Sequence, residues 1–199
     1  MGLKTNVIQT LSSSPVRWIN FTFANRMISP VGYYYIASLV SNDTIKCKVN
    51  GTLGHKAQYD VTNNEITASD GSYGERFFDE KSLLIHECTH ALLDHFYKGR
   101  DMNGKASAGI TVLEDETIAY IAQAIYLIAA KGATPMDETT PDTHAHNAVK
   151  TKVQAMMNNG WTGCETLTIT SQDVTDLQSS IKLNSNYSKN YNSIAVHDG

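Results

Sequence analysis

Two histidines and a glutamate lie in the most apolar helix-like stretch of the sequence, LLIHECTHALLDHF. These residues, His86, Glu87 and His90, follow the pattern H-E-x-x-H. Residues four apart lie on one face of an α-helix, one turn apart, so both imidazoles can bind the same zinc ion. Glu87 can take the proton of a water molecule bound at the open position of that zinc. The spacing therefore predicts a zinc site with a general base beside it.

The residues around the pattern favour a metal site over ordinary core histidines. Most flanking positions are apolar, which predicts a buried helix; they are Leu83, Leu84, Ile85, Ala91, Leu92, Leu93 and Phe96. A buried polar group that lacks a hydrogen bond costs about 1–3 kcal/mol, and a bound metal would remove this penalty from both imidazoles. The alternative interpretation is a pair of hydrogen-bonded core histidines without a metal.

A catalytic zinc ion needs a third protein ligand. Asp94 lies another turn of about 5.4 Å along the same helix, beyond easy convergence with the two histidines. The next predicted helix offers Glu114, Asp115 and Glu116. Glu114 already has a local role in a capping box, whereas the small Ala119 follows Glu116 by one turn and would let two helices approach closely. We therefore expect Glu116 to be the third ligand.

The elements that must position these residues predict a single α+β domain over residues 1–199. Residues 1–75 are predicted to be β-rich, with strands in INFTF, GYYYIASLV, IKCKVNG and, around a Thr-Asn-Asn turn, KAQYDVTNNEIT. Residues 79–183 are predicted to be helical. The polar residues 184–199 are expected to form a coil or a loose tail.

Capping residues predict four helices in the second part of the chain. Their predicted ranges are about 79–98, 112–131, 141–159 and 170–183. Thr111 and Glu114 form the T-x-x-E capping box of the second helix, and Pro141 occupies the favoured first position of the third. The loop from Gly99 to Gly109 is either a lid over the site or a simple connection.

H-E-x-x-H followed on a later helix by E-x-x-A, at Glu116 to Ala119, resembles the gluzincin-type zinc metallopeptidases. The resemblance covers Leu83 to about Ala130. It implies a zincin-like fold, in which a small N-terminal β-sheet packs over the active-site helix and a second helix completes a His-His-Glu site. It also implies that the edge strand of the sheet holds a polypeptide substrate in extended form. The N-E-x-x-S-D pattern of the thermolysin branch is absent, and the chain is more similar in size to small bacterial regulators and toxin-like effector domains.

The same resemblance implies the mechanism of peptide hydrolysis. One Zn²⁺ ion, held by His86, His90 and Glu116, would lower the pKa of a bound water molecule to about 7. Glu87 would accept a proton as this water attacks the carbonyl, and would pass the proton to the leaving amine.

The tetrahedral oxyanion of this reaction needs a further donor beside the metal. Tyr120, one turn beyond Glu116, is the first candidate, and His144 and His146 are alternatives. Tyr120 could instead be a core aromatic residue. The two histidines could instead be solvated or form a second metal site.

Two other functions are weighed against a zinc metallopeptidase. The first is a non-catalytic interaction module that binds zinc. A structural zinc site favours four protein ligands, often cysteines, and has no need of a base such as Glu87. The second is a zinc amidohydrolase acting on a non-peptide amide, which stays open because the specificity pocket lies outside the motif. We expect a hydrolase that cuts peptide bonds.

Composition limits the partners of the chain. It has 199 residues, of which 41% are hydrophobic and 18% charged, as is typical of a globular protein. The formal net charge is −4 and there is no basic run, which argues against nucleic acid or an anionic membrane surface as the main partner. No apolar run reaches the roughly 20 residues needed to cross a bilayer. A polypeptide substrate is the expected partner, and a regulatory or inhibitory protein is left open.

The N-terminus and the cysteines indicate where the chain is made. MGLKTNVIQT lacks the apolar segment of a secretory signal peptide. Cys47, Cys88 and Cys164 are widely spaced and do not form a disulfide framework. We therefore expect synthesis in the reducing cytoplasm, with export by a non-classical route left open.

Overall fold

The chain folds as a mixed α+β protein in the computed structural model, which describes residues 2–54, 56–97, 109–132, 141–159 and 165–183. The helices are α1 (Leu3–Leu11), α2 (Pro30–Ser41), α3 (Phe78–Tyr97), α4 (Val112–Lys131), α5 (Pro141–Asn158) and α6 (Thr175–Leu183). The strands are β1 (Phe21–Phe23), β2 (Arg26–Ile28), β3 (Lys46–Val49), β4 (Ala57–Asp60), β5 (Glu65–Ala68) and β6 (Leu167–Thr168). Short 3₁₀ turns span Ser14–Trp18 and Gly51–Leu53.

Helix α4 lies at the centre of the described fold and packs against α3, α5 and α6. Its residues 121–128 are all buried, as expected of a helix that is apolar on every side. The predicted capping box is present at its start. The Thr111 hydroxyl accepts the N–H of Glu114, and the Glu114 carboxylate accepts the N–H of Thr111. The packing of α3 against α4 places the H-E-x-x-H helix beside the helix that carries Glu116.

One small sheet lies against α3. Its strand order is β3-β5-β4, with β5 parallel to β3 and antiparallel to β4. The predicted turn between β4 and β5 is present, and Asn64 in it has a φ of 50°, a left-handed conformation that asparagine tolerates. Strand β4 is at an edge of this sheet and packs on α3. The motif helix is therefore flanked by α4 on one side and by an edge strand on another.

A second sheet pairs two strands from the N-terminal part of the chain with one from the C-terminal part. Its strand order is β2-β1-β6, with β1 antiparallel to β2 and parallel to β6. The side chain of Lys152 on α5 donates a hydrogen bond to the carbonyl of Thr168 in β6. This sheet thereby holds the C-terminal helices against the N-terminal part of the fold.

The prediction that residues 1–75 are mainly β-structure is wrong in two places. α1 lies in this segment, and GYYYIASLV, predicted to be a strand, lies within α2. The aromatic and β-branched residues of α2 favour a strand by propensity, but Pro30 starts a helix and one helical face is buried. Gly32 is part of that face. A Cβ added to Gly32 would lie 2.5 Å from Leu92 Cδ1, so glycine permits the close packing of α2 on α3.

Several predictions concern residues outside the described ranges. The polar segment 184–199, Cys164 and nearly all of the loop from Gly99 to Gly109 are among them. The predicted helix over 170–183 begins later, at Thr175. None of the helices in the described ranges combines the length and apolar character that crossing a bilayer requires.

Candidate metal centre

Three side chains predicted to bind a metal converge between α3 and α4. His86 and His90 lie one turn apart on α3, and Glu116 projects from α4, with their ligand atoms all within 4.8 Å of one another. His86 Nε2 is 3.4 Å from Glu116 Oε2, and His90 Nε2 is 3.8 Å from Glu116 Oε1. We call these three residues the triad. Their arrangement could hold a metal ion, as the spacing of the histidines and the choice of Glu116 predict.

The burial of the triad leaves one of its oxygens without a hydrogen bond. His86 and Glu116 are buried and His90 is half-buried. Glu116 Oε2 is inaccessible to solvent, and no group in the described part of the chain donates a hydrogen bond to it. A buried carboxylate oxygen without a donor is unfavourable, whereas a cation between it and the imidazoles would compensate its charge. The donor set of two imidazoles and a carboxylate is also one that zinc prefers.

The other ring nitrogen of each histidine is held by an acceptor. His86 Nδ1 lies 3.0 Å from Gln123 Oε1, and His90 Nδ1 lies 3.0 Å from Asp115 Oδ2. In a neutral imidazole, hydrogen bonds of this kind keep the proton on Nδ1 and leave the lone pair on Nε2, which is the nitrogen that faces Glu116. Both rings are thus oriented to present Nε2 to a common point.

Neither supporting residue is identified by the sequence analysis as a partner of a histidine. Asp115 enters there only as an alternative ligand, and in the structure it supports His90 instead. Gln123 gives a local signal, because it is a polar residue within the apolar run YIAQAIYLIAA and is buried in α4. Its amide also donates a hydrogen bond of 2.7 Å to Asp142 Oδ1 on α5. Burial raises the pKa of Asp142.

Acidic neighbours control the charge of His90. Desolvation lowers its pKa, but the carboxylates of Asp115, Glu116 and Glu87 outweigh that effect and raise the pKa to about 10. A metal ion that binds His90 at neutral pH must therefore displace a proton.

Glu87 faces strand β4. Its Oε2 accepts a hydrogen bond of 2.8 Å from the backbone N–H of Tyr59. Burial raises the pKa of Glu87, although His86, His90 and the Tyr59 N–H act in the opposite direction. A raised pKa lies closer to neutral pH, at which the carboxylate of Glu87 can then both accept and release a proton.

The remaining candidates occupy different positions. The ring of Tyr120 packs edge-on against that of His86, with centroids 4.6 Å apart, so Tyr120 lies beside the triad.

His144 is half-buried on α5 and His146 is buried there, so the two histidines are not a solvated pair. Burial lowers the pKa of His146, and neither of its ring nitrogens has a hydrogen-bond partner within the described ranges. Asp94 accepts a hydrogen bond from the Tyr59 hydroxyl and does not join the triad.

Comparison with known proteins found no match to this chain among protein-family models, curated proteins or solved structures. The arrangement of side chains is therefore what supports a function. Over residues 2–54, 56–97, 109–132, 141–159 and 165–183, the triad is the one group of three or more His, Cys, Asp or Glu side chains close enough to hold a metal ion.

Proposed function

We propose that this chain is a zinc-dependent metallopeptidase of the gluzincin type. The observation that carries the proposal is the convergence of His86, His90 and Glu116 within 4.8 Å, with Glu87 adjacent to the first histidine on the same helix. Two histidines and a glutamate leave the fourth position of a tetrahedral zinc open, as catalytic sites do and structural sites do not.

A bound zinc ion would supply a Lewis acid that polarises the substrate carbonyl and acidifies water. The two imidazoles and the Glu116 carboxylate would hold it. Glu87 is the proposed general base: it takes a proton from the attacking water and delivers it to the leaving amine. The burial that raises its pKa and the Tyr59 N–H that fixes one of its oxygens support this role.

Strand β4 is the proposed docking edge for the substrate backbone. The carbonyl of Lys56 faces β5, where it accepts the N–H of Ser69, so the alternate residues Ala57 and Tyr59 direct their backbone groups away from β5. The Tyr59 N–H reaches Glu87 on that side. Among the described strands, β4 pairs only with β5. An extended polypeptide on this edge would place its backbone next to the proposed base.

Tyr120 is the proposed donor to the oxyanion. Its ring contact with His86 supports this role, because it places the residue against a proposed metal ligand.

The proposal is tested by reconstituting the purified protein with zinc, removing unbound metal and measuring zinc per chain. A general protein substrate is then incubated with the sample, with and without 1,10-phenanthroline. One zinc per chain and cleavage that the chelator abolishes are expected. No zinc after reconstitution would contradict the metal centre. Zinc binding without cleavage would support the metal centre but not the general peptidase activity. Specific proteins and non-peptide amides would then be tested as substrates.

A further inference from the structure

A chain of two hydrogen bonds connects the triad to helix α5. His86 Nδ1 contacts Gln123 Oε1 at 3.0 Å, and Gln123 Nε2 donates to Asp142 Oδ1 at 2.7 Å. The three residues belong to α3, α4 and α5, respectively. Gln123 is buried, with 4% of its surface exposed, so water cannot readily replace either bond. Gln123 and Asp142 are not part of the triad.

The acceptor at the far end determines the direction of both bonds. The NH₂ group of Gln123 donates to Asp142 Oδ1, as the acceptor oxygens of a carboxylate require. The amide oxygen of Gln123 must then face His86. Because an amide oxygen also only accepts, His86 must carry its proton on Nδ1, and a neutral imidazole then has its lone pair on Nε2. Nε2 is the nitrogen that lies 3.4 Å from Glu116.

Without the Asp142 carboxylate, the orientation of the Gln123 amide would no longer be determined. The two ends of an amide have nearly the same shape, so Gln123 could turn its NH₂ group toward His86 once Asp142 no longer holds it. That orientation favours a proton on Nε2, which blocks metal binding. His90 has no such dependence, because Asp115 contacts it directly with a carboxylate.

We propose that Gln123 and Asp142 are positioning residues that hold His86 in the tautomer and ring orientation that bind the metal. The inference rests on the proposed metal centre. It adds that the affinity of this centre depends on an amide in α4 and a carboxylate in α5 that never touch the ion. Groups behind metal-bound histidines typically change metal affinity by about 10–100-fold.

The test measures the zinc dissociation constant by competition with a chromogenic chelator, together with thermal unfolding of each zinc-free protein. Gln123→Met removes both hydrogen bonds at nearly constant volume, and Asp142→Leu removes only the far acceptor. Both are expected to weaken zinc binding about 10–100-fold. Gln154→Met on α5 is the matched control, since Gln154 is half-buried, and it should bind zinc as the wild type does.

A double variant tests the direction of the bonds. Gln123→Glu with Asp142→Asn reverses the positions of amide and carboxylate. The new carboxylate can accept from both His86 Nδ1 and the new amide, so zinc affinity should return to within a few-fold of the wild type. Asp142→Asn alone leaves two amides that can each turn either way, and it should bind zinc more weakly than the double variant. This rescue keeps the test valid even if Gln123→Met fails to fold.

The tautomer itself is measured from the ¹⁵N shifts of the His86 ring in zinc-free protein. Wild type should show a proton on Nδ1, and Asp142→Leu should shift the ring toward a proton on Nε2. The inference is overturned if Gln123→Met and Asp142→Leu fold and bind zinc within about twofold of the wild type. A wild-type protein that binds no zinc would instead overturn the metal centre, and this inference with it.

Discussion

The backbone N–H of Tyr59 donates a hydrogen bond to the carboxylate of Glu87 across 2.8 Å, joining an edge strand to the motif helix. The hydroxyl of the same tyrosine donates to Asp94 Oδ2 at 2.9 Å, two turns farther along α3. Strand β4 is thus attached to the helix at two points. One oxygen of Glu87 is fixed by the first of these bonds, which restricts the orientation of the carboxylate next to the triad.

Glu87→Gln should abolish peptide hydrolysis and retain zinc. The new amide oxygen can still accept the Tyr59 N–H, so the local packing is preserved, but the amide cannot take a proton. Loss of a general base lowers the rate about 10²–10⁴-fold. Cleavage rate and zinc content are measured on the same sample. A variant that cleaves as fast as the wild type would remove Glu87 from the mechanism.

Glu116→Gln should lose zinc. It replaces a charged ligand with a neutral one, and the loss of affinity should exceed the about 10–100-fold typical of groups behind the ligands. Glu114→Gln is the matched control on the same turn of α4, because glutamine also serves in a capping box. Chelator competition gives both dissociation constants. Equal zinc binding by the two variants would mean that Glu116 is not a ligand.

The triad can be predicted from the sequence because local geometry determines most of it. His86 and His90 share a face of any helix that contains both. Two local features favour Glu116: Glu114 caps the helix, as it does in the structure, and the small Ala119 lies one turn beyond Glu116. The apolar flanks of α3 and α4 require both helices to be buried, which favours their contact.

The groups behind the histidines depend on tertiary packing and cannot be predicted in the same way. Gln123 contacts His86, which is 37 positions away in the sequence, and Asp142, which is 19 positions away. The sequence marks Gln123 only as a polar residue in an apolar run. The strand predicted in GYYYIASLV is wrong for a related reason, since burial of one face of α2 outweighs the β-propensity of its residues.

Tyr120→Phe distinguishes an oxyanion donor from a core aromatic residue. The ring contact with His86 is retained and only the hydroxyl is lost. If the hydroxyl stabilises the oxyanion, the cleavage rate should fall about 10²–10³-fold while zinc content stays the same. Tyr126→Phe is the control on the same helix, where the hydroxyl contacts Ser13. An unchanged rate in Tyr120→Phe would mean that Tyr120 is a core aromatic residue. His144 and His146 would then be the candidates for the oxyanion donor.

Asp173→Asn should destabilise the fold in a pH-dependent way. The hydrogen bond from Lys152, with those from Thr170, lowers the pKa of Asp173 to about 2. Since the folded pKa lies below the unfolded value of about 3.9, the ionised carboxylate stabilises the fold above pH 4, and this contribution is lost as the pH falls toward 2. Urea unfolding should show a loss of about 1–2 kcal/mol at pH 7, similar at pH 5, and a smaller difference at pH 3. Asp176→Asn, at an exposed position of α6, should change the free energy of unfolding much less. A difference between Asp173→Asn and wild type that is the same at pH 3 and pH 7 would show that the charge of Asp173 does not contribute.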